Sequence, residues 1–287
     1  MKKRISFIIV VVAISTGAAY AGIFEHLGGG VRAAGMGNAA VAVTDDSSAV
    51  YWNPAGLTQL KRNEFSAART DLYGLGLISY DNYFYGHPGL GLGAVGFGLI
   101  RLGTTPKVDF LNFNENTFIF SFGIKPGIEF LRNLSLGANM KYYKVQEKTT
   151  GTGYGIDVGA QYRIKDFYTG VTVQDINWPE IYFQSEQQDI IPANLCLGIG
   201  YKYGKVFTAA CDWDNFQENN PQFHGGVEAW FAQRIVAVRL GLIRQHLTLW
   251  TYTMGLGLRV SGVQFDYAMK KHFDLDTTHS FSLTLKL

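Results

Sequence analysis

The chain has 287 residues, of which only 17% are charged, whereas soluble proteins carry about a quarter. It contains 34 glycines and only 7 prolines, 14% of its residues are aromatic, and its mean hydropathy is +0.03. These values exclude a helical membrane bundle and a disordered chain, and they suit a surface on which apolar and polar residues alternate. The formal charge is +2, and without residues 2–4 it is −1, from 22 basic and 23 acidic residues. A basic nucleic-acid-binding protein is therefore excluded.

The first residues have the pattern of a secretory signal peptide. Three basic residues (2–4) precede an apolar run at 7–14, and Ala19-Tyr20-Ala21 supplies the small residues that a signal peptidase requires. We predict a signal peptide at 1–21, with cleavage after Ala21. The alternative is a membrane anchor, but a spanning helix needs about 18 or more apolar residues, and this run is shorter.

Two cysteines, Cys196 and Cys211, would meet an oxidising environment after export. The alternation of apolar residues puts Cys211 with the outward set and Cys196 with the inward set of neighbouring predicted strands. We therefore predict no disulfide. Neither cysteine has a partner at zinc-ligand spacing, and the six histidines are scattered, so no metal site is predicted.

Segments of about ten residues with period-two hydrophobicity recur from residue 63 to the end of the chain. In the last segment Phe281, Leu283 and Leu285 alternate with serine, threonine and lysine. The pattern predicts fourteen strands near 63–70, 73–84, 89–102, 116–125, 133–146, 153–164, 167–176, 193–203, 205–214, 222–231, 234–243, 250–260, 262–271 and 279–287. Connections after strands 6, 8, 10 and 12 are tight, whereas those after the odd-numbered strands from 3 to 13 are longer. Transmembrane barrels show this asymmetry, with short periplasmic turns.

An open sheet edge cannot face lipid, because each unpaired backbone group costs several kcal/mol there. The predicted fold class is therefore all-β, a 14-stranded antiparallel transmembrane β-barrel over residues 63–287. The alternative is a soluble barrel or sandwich with its apolar residues inside. Aromatic residues near the strand ends favour the membrane barrel, because they predict two interfacial belts, one including Phe167, Tyr168, Tyr203 and Trp230 and the other including Trp250 and Tyr252.

The inward set predicts a polar network in the lumen. Its charged members carry both signs, which favours ion pairs over an ion-selective ring. The network comprises Lys141, Asp157, Arg163, Glu228, Arg239, Arg259 and Asp266. These groups either bind water or hold the N-terminal segment described next.

Residues 22–62 do not follow the strand pattern and cannot lie in lipid, but they can fill the lumen of a fourteen-strand barrel. We call this segment the hatch. Its signature runs from Arg32-Ala33-Ala34-Gly35-Met36-Gly37-Asn38 through Asp45-Asp46 to Tyr51-Trp52-Asn53-Pro54-Ala55.

This signature resembles the N-terminal hatch of the FadL-like and PorV/PorQ-like outer-membrane proteins. The resemblance implies a fourteen-stranded barrel, located in the bacterial outer membrane and plugged by the hatch. In the FadL branch it implies passive uptake of long-chain fatty acids or other small hydrophobic compounds. In the PorV branch it implies a scaffold for a secretion or cell-surface system. The chain departs from FadL transporters in its modest loops, of which the largest spans 177–192, and it ends without an aromatic residue.

Glycine is frequent in the third predicted strand, at Gly89, Gly91, Gly93, Gly96 and Gly98. Glycine in a strand often marks a bend or a close backbone approach. The resemblance to FadL suggests a kink here, beside residues 53–55, that opens the wall to the membrane. Alternatively, these glycines only make room for a bulky hatch residue such as Trp52.

The glycines at 91–96 match G-x-G-x-x-G but do not open a helix in a βαβ unit, so no dinucleotide cofactor is predicted. We expect a monomer in outer-membrane lipid that is not an enzyme, binds a small hydrophobic ligand and needs no cofactor.

Overall fold

The computed structural model describes residues 27–287, apart from Leu90, Leu92, Lys148 and the ranges 106–112, 184–187, 216–220, 246–248 and 273–275. The predicted signal peptide, its cleavage site and hatch residues 22–26 lie outside the described residues.

The described part of the chain contains two short helices, α1 (Val31–Gly35) and α2 (Ala49–Trp52), and 3₁₀ turns at Pro54–Gln59, Leu72–Gly74, Glu129–Leu131 and Ala232–Arg234. None of its helices is long and apolar enough to cross a bilayer. The β-segments are β1 (Glu64–Asp71), β2 (Ile78–His87), β3 (Ala94–Thr104), β4 (Asn114–Ile124), β5 (Leu134–Gln146), β6 (Thr150–Ile164), β7 (Phe167–Gln174), β8 (Glu180–Phe183), β9 (Gln188–Ile190), β10 (Asn194–Tyr203), β11 (Phe207–Asp214), β12 (Gln222–Phe231), β13 (Val236–Gln245), β14 (Leu249–Val260), β15 (Val263–Lys271) and β16 (Thr278–Lys286).

The strands β1–β7 and β10–β16 form one closed ring in which each strand pairs antiparallel with its neighbours in the chain. The ring closes where β1 pairs with β16, from Glu64 opposite Lys286 to Asp71 opposite His279. The predicted fold class, a closed fourteen-stranded antiparallel barrel, is confirmed. Because the ring closes within one chain, it has no free sheet edge.

The two ends of the barrel differ. At one end lie Glu64, Lys286 and the tight connections after β6, β10, β12 and β14. We call it the turn end, and the opposite end, which carries Asp71 and His279, the loop end. The connection after β5 was predicted to be long, but it spans only residues 147–149 because β6 already begins at Thr150.

Apolar side chains face outwards along the strands. In β16, Phe281 is 59% exposed, whereas Ser280 on the opposite face is only 6% exposed. Met140, Ile199 and Leu256 are exposed in the same way on other strands. This distribution is that of a barrel surrounded by acyl chains, and the alternative of a soluble barrel is wrong.

Two residues assigned to the aromatic belts point inwards instead. Trp230 is 8% exposed, and the Arg259 guanidinium lies 4.2 Å from its ring centroid. Tyr168 is 6% exposed, with the Lys202 ammonium 4.8 Å from its ring. Both residues stand at inward positions of their strands. The alternation of side chains along the strand, and not nearness to the strand end, therefore decides the direction in which they point. Phe167, Tyr203, Trp250 and Tyr252 are exposed as predicted.

Three predicted boundaries were wrong for identifiable reasons. The second strand begins at Ile78 instead of residue 73, because Leu72–Gly74 forms a 3₁₀ turn. The third begins at Ala94 instead of residue 89. The predicted loop at 177–192 contains the hairpin β8–β9, whose Ile181 is fully buried against Tyr143 and Val145.

Cys196 is buried, Cys211 is exposed, and both are free thiols. The two residues lie on the paired strands β10 and β11 but on opposite faces. The predicted inward position of Cys196 and outward position of Cys211 are confirmed.

Candidate functional site

Hatch residues 27–62 follow the inner wall of the barrel on a track of glycines. A Cβ atom added at Gly226 of β12 would lie 2.1 Å from the Met36 carbonyl oxygen, and one at Gly241 of β13 would lie 2.1 Å from the Gly37 nitrogen. Hatch atoms approach as closely, or nearly so, at Gly96, Gly98, Gly123, Gly137, Gly159, Gly170, Gly198, Gly200 and Gly255. We call these eleven wall positions the glycine track. Because only glycine leaves room for such contacts, the hatch backbone docks directly on the wall.

Gly35 and Gly37 of the hatch signature meet this track at β13 and β14. A Cβ atom at Gly255 would lie 3.0 Å from the Gly35 Cα. Gly37 has φ +65°, and a side chain there would come within 2.8 Å of the backbone of Gly225. Its nitrogen donates to Thr253 Oγ1 at 3.0 Å. At Gly37 both backbone conformation and space therefore require glycine.

Asn53 fastens the second half of the hatch between β6 and β7. Its side chain is fully buried, and Nδ2 donates to the Val41, Ala160 and Val171 carbonyls at 3.1, 3.1 and 3.3 Å. Its Oδ1 accepts from the Ala55 nitrogen at 3.2 Å. One carboxamide thus joins two segments of the hatch to two strands of the wall.

The neighbours of Asn53 hold the hatch together and against β5. The Trp52 Nε1 donates to the Gly29 carbonyl at 2.6 Å, and the Tyr51 hydroxyl accepts from the Gly28 nitrogen at 3.3 Å. Pro54 and Ala55 lie on the wall, since a Cβ atom at Gly137 would be 2.4 Å from the Pro54 carbonyl carbon and 2.3 Å from the Ala55 nitrogen.

Replacing Asn53 with alanine should loosen the hatch while leaving the barrel folded. The change removes the side-chain donor from the Ala160 and Val171 carbonyls and one of two donors from the Val41 carbonyl, which also accepts from Gln161. The loss costs about 2–4 kcal/mol in total. Hydrogen exchange should accelerate across 39–60 but not in the strands. Asn116→Ala is the control, because among the described residues the Asn116 amide makes a single hydrogen bond, to Asn114 at 3.4 Å. Equal exchange in the two variants would contradict the role given to Asn53.

Arg32 of α1 is the centre of an ion-pair cluster inside the lumen. Its guanidinium contacts Asp45 at 2.6 Å and Asp46 at 2.9 Å, both in the hatch, and Glu228 of β12 at 2.8 Å. Glu228 also pairs with Arg239 at 2.7 Å. The cluster therefore links the hatch to the wall through groups that alternate in charge.

The cluster continues on both sides. Arg239 is fully buried and binds Asp266 of β15 at 2.8 Å. On the other side the Lys202 ammonium contacts Asp45 at 2.7 Å and donates to the Val43 carbonyl at 2.8 Å. Glu228, Arg239 and Asp266 of the predicted network thus lie together, but their hatch partner Arg32 was not predicted.

The hatch carboxylates in this cluster are held in their charged form. Burial acts to raise the pKa of Asp45, but the charges of Lys202 and Arg32 outweigh it, so the pKa lies well below its usual range. The pKa of Asp46 is also lowered, against burial, by Arg32. The charged carboxylates therefore stabilise the docked hatch at pH values above the ordinary carboxylate pKa. This stabilisation is lost as the pH falls through the lowered pKa of the folded state.

Lys141 and Asp157 belong to a second, separate cluster near the loop end. The Lys141 ammonium contacts Asp157 at 2.8 Å and Asp175 at 3.1 Å. Asn139 donates to Asp157 at 2.8 Å and to the Val50 carbonyl at 2.9 Å. This cluster connects β5, β6 and the residue after β7, and it reaches the hatch through Asn139.

The other two predicted network members are placed differently. Arg163 is exposed, donates to the Lys165 carbonyl at 2.8 Å and lies 5.3 Å from the ring of the inward-facing Tyr168, so it joins neither ion-pair cluster. It stands one residue from the end of β6, where a long side chain reaches water. Arg259 is half-buried and binds Gln264 at 2.9 Å, and Gln264 in turn donates to Asp266. Arg259 therefore joins the first cluster indirectly.

The five glycines of the predicted third strand divide into two groups. Gly89, Gly91 and Gly93 lie in the β2–β3 connection with φ +77°, +81° and +150°, and a Cβ atom at either of the first two meets nothing within 4 Å. Gly96 and Gly98 lie in β3, where added Cβ atoms would be 2.6 and 2.9 Å from Val50 of the hatch.

The ladders on both sides of β3 run through Gly96 and Gly98, with Phe84 and Ile119 opposite Gly98. The wall is thus closed at these two glycines, and residues 53–55 dock along β4 to β7 instead of β3. Of the two interpretations of these glycines, making room for a hatch residue fits Gly96 and Gly98, although the residue is Val50 and not Trp52.

Cavities remain on both sides of the hatch. The larger has a volume of about 230 Å³ and lies towards the loop end, between hatch residues such as Leu27 and wall residues such as Tyr73 and Lys270. We call it the loop-end cavity. A cavity of about 30 Å³ lies towards the turn end, beside Glu64 and Lys286.

Gly30 and Val31 line both of these cavities, so they separate them. Val31 is 3% exposed and packs against Ala68 of β1 and Ala268 of β15. The Gly30 nitrogen donates to Asn82 Oδ1 at 3.0 Å. Gly30 and Val31 are therefore the residues that would have to move for the two cavities to connect.

Comparison with solved structures identifies the architecture. A monoaromatic hydrocarbon channel, CymD, matches with a TM-score of 0.68 at 13% identity, covering 92% of this chain and 99% of that chain. The Ralstonia pickettii toluene transporter TbuX matches with a TM-score of 0.68 at 12% identity, covering 92% and 100%. A Pseudomonas aeruginosa FadL homologue matches with a TM-score of 0.60 at 11% identity, covering 88% and 97%. The chain has a FadL-type fold. No family model matches the sequence, and no curated protein matches it.

In this FadL-type barrel the hatch signature could be recognised in the sequence, but the wall positions on which the hatch docks could not. The glycine track was visible only as a high glycine content, because its members are spread over nine strands with one or two on each. Their common feature is an inward position on the strand, which alternation could have revealed. Among the described residues no group of three or more His, Cys, Asp or Glu side chains could hold a metal ion.

Proposed function

We propose that the protein is a passive, non-enzymatic outer-membrane channel for small hydrophobic compounds. The observation that carries this proposal is the pair of cavities separated by Gly30 and Val31 inside a FadL-type barrel. The exposed apolar surface supports a location in lipid, and the short turns support a periplasmic turn end. A closed ring supports a monomer.

The volume of the loop-end cavity favours compounds of about one aromatic ring over long-chain fatty acids. A cavity of about 150 Å³ holds benzene in another protein, and this one measures about 230 Å³. The solved structures that resemble this chain include a toluene transporter and a monoaromatic hydrocarbon channel, which supports a ligand of about one aromatic ring. A long-chain fatty acid would extend beyond this cavity.

The test is uptake of radiolabelled toluene by bacterial cells that express the protein in an intact outer membrane. Because Val31 stands between the cavities, Val31→Ala should raise uptake several-fold and Val31→Phe should lower it to the level of cells without the protein. Opposite effects at one residue separate gating from damage to the fold. Labelled oleate, used in parallel, should enter no faster than in empty cells.

If toluene uptake is the same in empty cells and in cells with the native chain, Val31→Ala or Val31→Phe in the outer membrane, the channel proposal fails. A PorV/PorQ-like scaffold for a secretion system would then be the remaining candidate. The modest loops of the barrel leave room for such a partner at the loop end.

A further inference from the structure

His224 of β12 links the hatch to the barrel wall through both nitrogens of its ring. Its Nδ1 lies 2.8 Å from the Gly37 carbonyl oxygen, and its Nε2 lies 2.8 Å from Oδ2 of Asp214 on β11. The side chain of His224 is only 8% exposed. Turning the ring over would put its two carbon atoms against these oxygens, so the two hydrogen bonds fix its orientation.

The two contacts of this ring set the number of its protons. A carbonyl oxygen can only accept a hydrogen bond, so Nδ1 carries a proton. An ionised Asp214 also only accepts, so Nε2 carries a second proton and the ring is an imidazolium. If the second proton belongs to Asp214 instead, the pair still holds one proton more than a neutral imidazole beside a carboxylate. Both contacts therefore exist together only while the pair keeps this additional proton.

Loss of that proton leaves one N–H group for two acceptors. The remaining N–H stays with Asp214, because a hydrogen bond to a carboxylate is stronger than one to a carbonyl group. The Gly37 carbonyl oxygen then faces an unprotonated Nδ1, and two lone pairs oppose each other at 2.8 Å. The contact between hatch and wall at Gly37 therefore breaks when the proton passes to water.

Gly37 connects His224 to helix α1 of the hatch. Its nitrogen donates to the Ala34 carbonyl at 3.2 Å, in the last turn of the helix. The first residue of the same helix, Val31, separates the two cavities. Freeing Gly37 from His224 therefore loosens the element that would have to move for the cavities to connect.

Among the described residues, the titratable groups on the strands beside His224 are two carboxylates and a thiol. They are Asp212 and Asp214 of β11 and Cys196 of β10. On the other side, β13 places Ile243 opposite His224. Hatch residues 36–41, which include the contact at Gly37, carry no titratable side chain.

Asp212 also holds the hatch, but it responds to pH in the opposite direction. Its Oδ2 accepts from the Ala40 and Val41 nitrogens at 2.6 and 2.8 Å. Losing a proton makes a carboxyl group a better acceptor, so Asp212 would tighten the hatch as the pH rises. His224 would loosen it. The sign of the pH response therefore distinguishes the two groups.

We propose that His224 and Asp214 form a proton-dependent latch of the channel. The protonated pair holds the hatch at Gly37, and release of one proton to water frees Gly37 and lets α1 move. Imidazole is the side chain that ordinarily exchanges its proton between about pH 5 and pH 8. The latch therefore closes in mildly acidic and opens in mildly alkaline surroundings. This proposal rests on the proposed channel function and adds its regulation.

The test is the frequency of current steps through the purified full chain in planar bilayers at about pH 5.5 and about pH 8.5. We expect the frequency to rise about fivefold at the higher pH, the change in an equilibrium that the loss of one ordinary hydrogen bond produces. His224→Gln should remove this pH dependence. His279→Gln is the matched control and should keep it, because His279 shares the outer face of β16 with Phe281 and binds the Tyr267 hydroxyl at 2.9 Å.

Asp214→Asn distinguishes the latch from a contact that only supports the fold. The new amide can donate to Nε2 of a neutral ring, which then keeps its single proton on Nδ1 for the Gly37 carbonyl. Both contacts of the ring are thereby satisfied without the additional proton. This variant should show rare current steps at both pH values, whereas the native chain opens at the higher one.

The native response needs no variant that folds, and a step frequency that stays constant or falls as the pH rises would overturn the latch. A native pH response in His224→Gln, or opening of Asp214→Asn at the higher pH, would overturn it as well. In that case toluene uptake that still responds to Val31→Ala and Val31→Phe would leave the channel function intact. Absence of that response would show that the channel function had failed too.

Discussion

Replacing Gly226 with alanine should displace the hatch from the barrel wall, although it adds a single methyl group. That methyl carbon would lie 2.1 Å from the Met36 carbonyl oxygen and 2.7 Å from the Met36 carbonyl carbon, so backbone must move. Overpacking of this kind costs about 1–3 kcal/mol or more. We expect hatch residues 30–45 to become accessible to protease while the barrel stays folded.

The matched control is Gly225→Ala, one residue earlier on the same strand. A Cβ atom there meets nothing within 4 Å, because Gly225 faces away from the lumen. This variant should show wild-type protection of the hatch. If both alanines expose the hatch equally, strand flexibility and not contact with Met36 is the cause.

Replacing Arg32 with glutamine should open a path for ions through the barrel. The change removes the guanidinium that contacts Asp45, Asp46 and Glu228, and Glu228 is 1% exposed. Removing one partner of this ion-pair cluster should weaken hatch docking by roughly 2–4 kcal/mol, less than in a fully buried cluster, because the Arg32 side chain is a fifth exposed. In planar bilayers we expect frequent current steps from this variant and rare ones from the native chain.

Two further variants test whether the ion-pair geometry matters. Arg32→Lys keeps the charge but loses the planar fork that reaches several carboxylates, so its conductance should be intermediate. Arg69→Gln breaks a pair of 3.7 Å between Asp81 and an arginine that is 69% exposed, and it should have no effect. Identical current records from Arg32→Gln and the native chain would contradict a role of this cluster in holding the hatch.

The barrel could be predicted from the sequence because a protein in lipid exposes its apolar side chains and turns its polar ones inwards, the reverse of a soluble protein. A period of two fixes which residues share a face, as Phe281 and Leu283 show in β16. The low charge content and the impossibility of a free edge in lipid then select a closed ring with its apolar face outwards. Strand boundaries were less predictable, since Tyr73 adopts φ 62° and ends the alternation without any proline or glycine at that position.

The candidate site was predictable only in part. The charges of Glu228, Arg239 and Asp266 could be placed in the lumen by alternation, because each stands at an inward position. Their partner could not, since Arg32 lies 196 residues from Glu228 in the chain and no periodicity connects them. Arg163 stands on the same face of β6 as Asp157, but it lies next to the strand end, where its long side chain reaches water.

The order of the hatch in the chain has a consequence for biogenesis. Residues 27–62 are synthesised before every strand, yet their docking positions include Gly241 of β13 and Gly255 of β14. Contacts of such long sequence separation form slowly. The hatch therefore cannot complete its docking before β13 and β14 have taken their places in the ring.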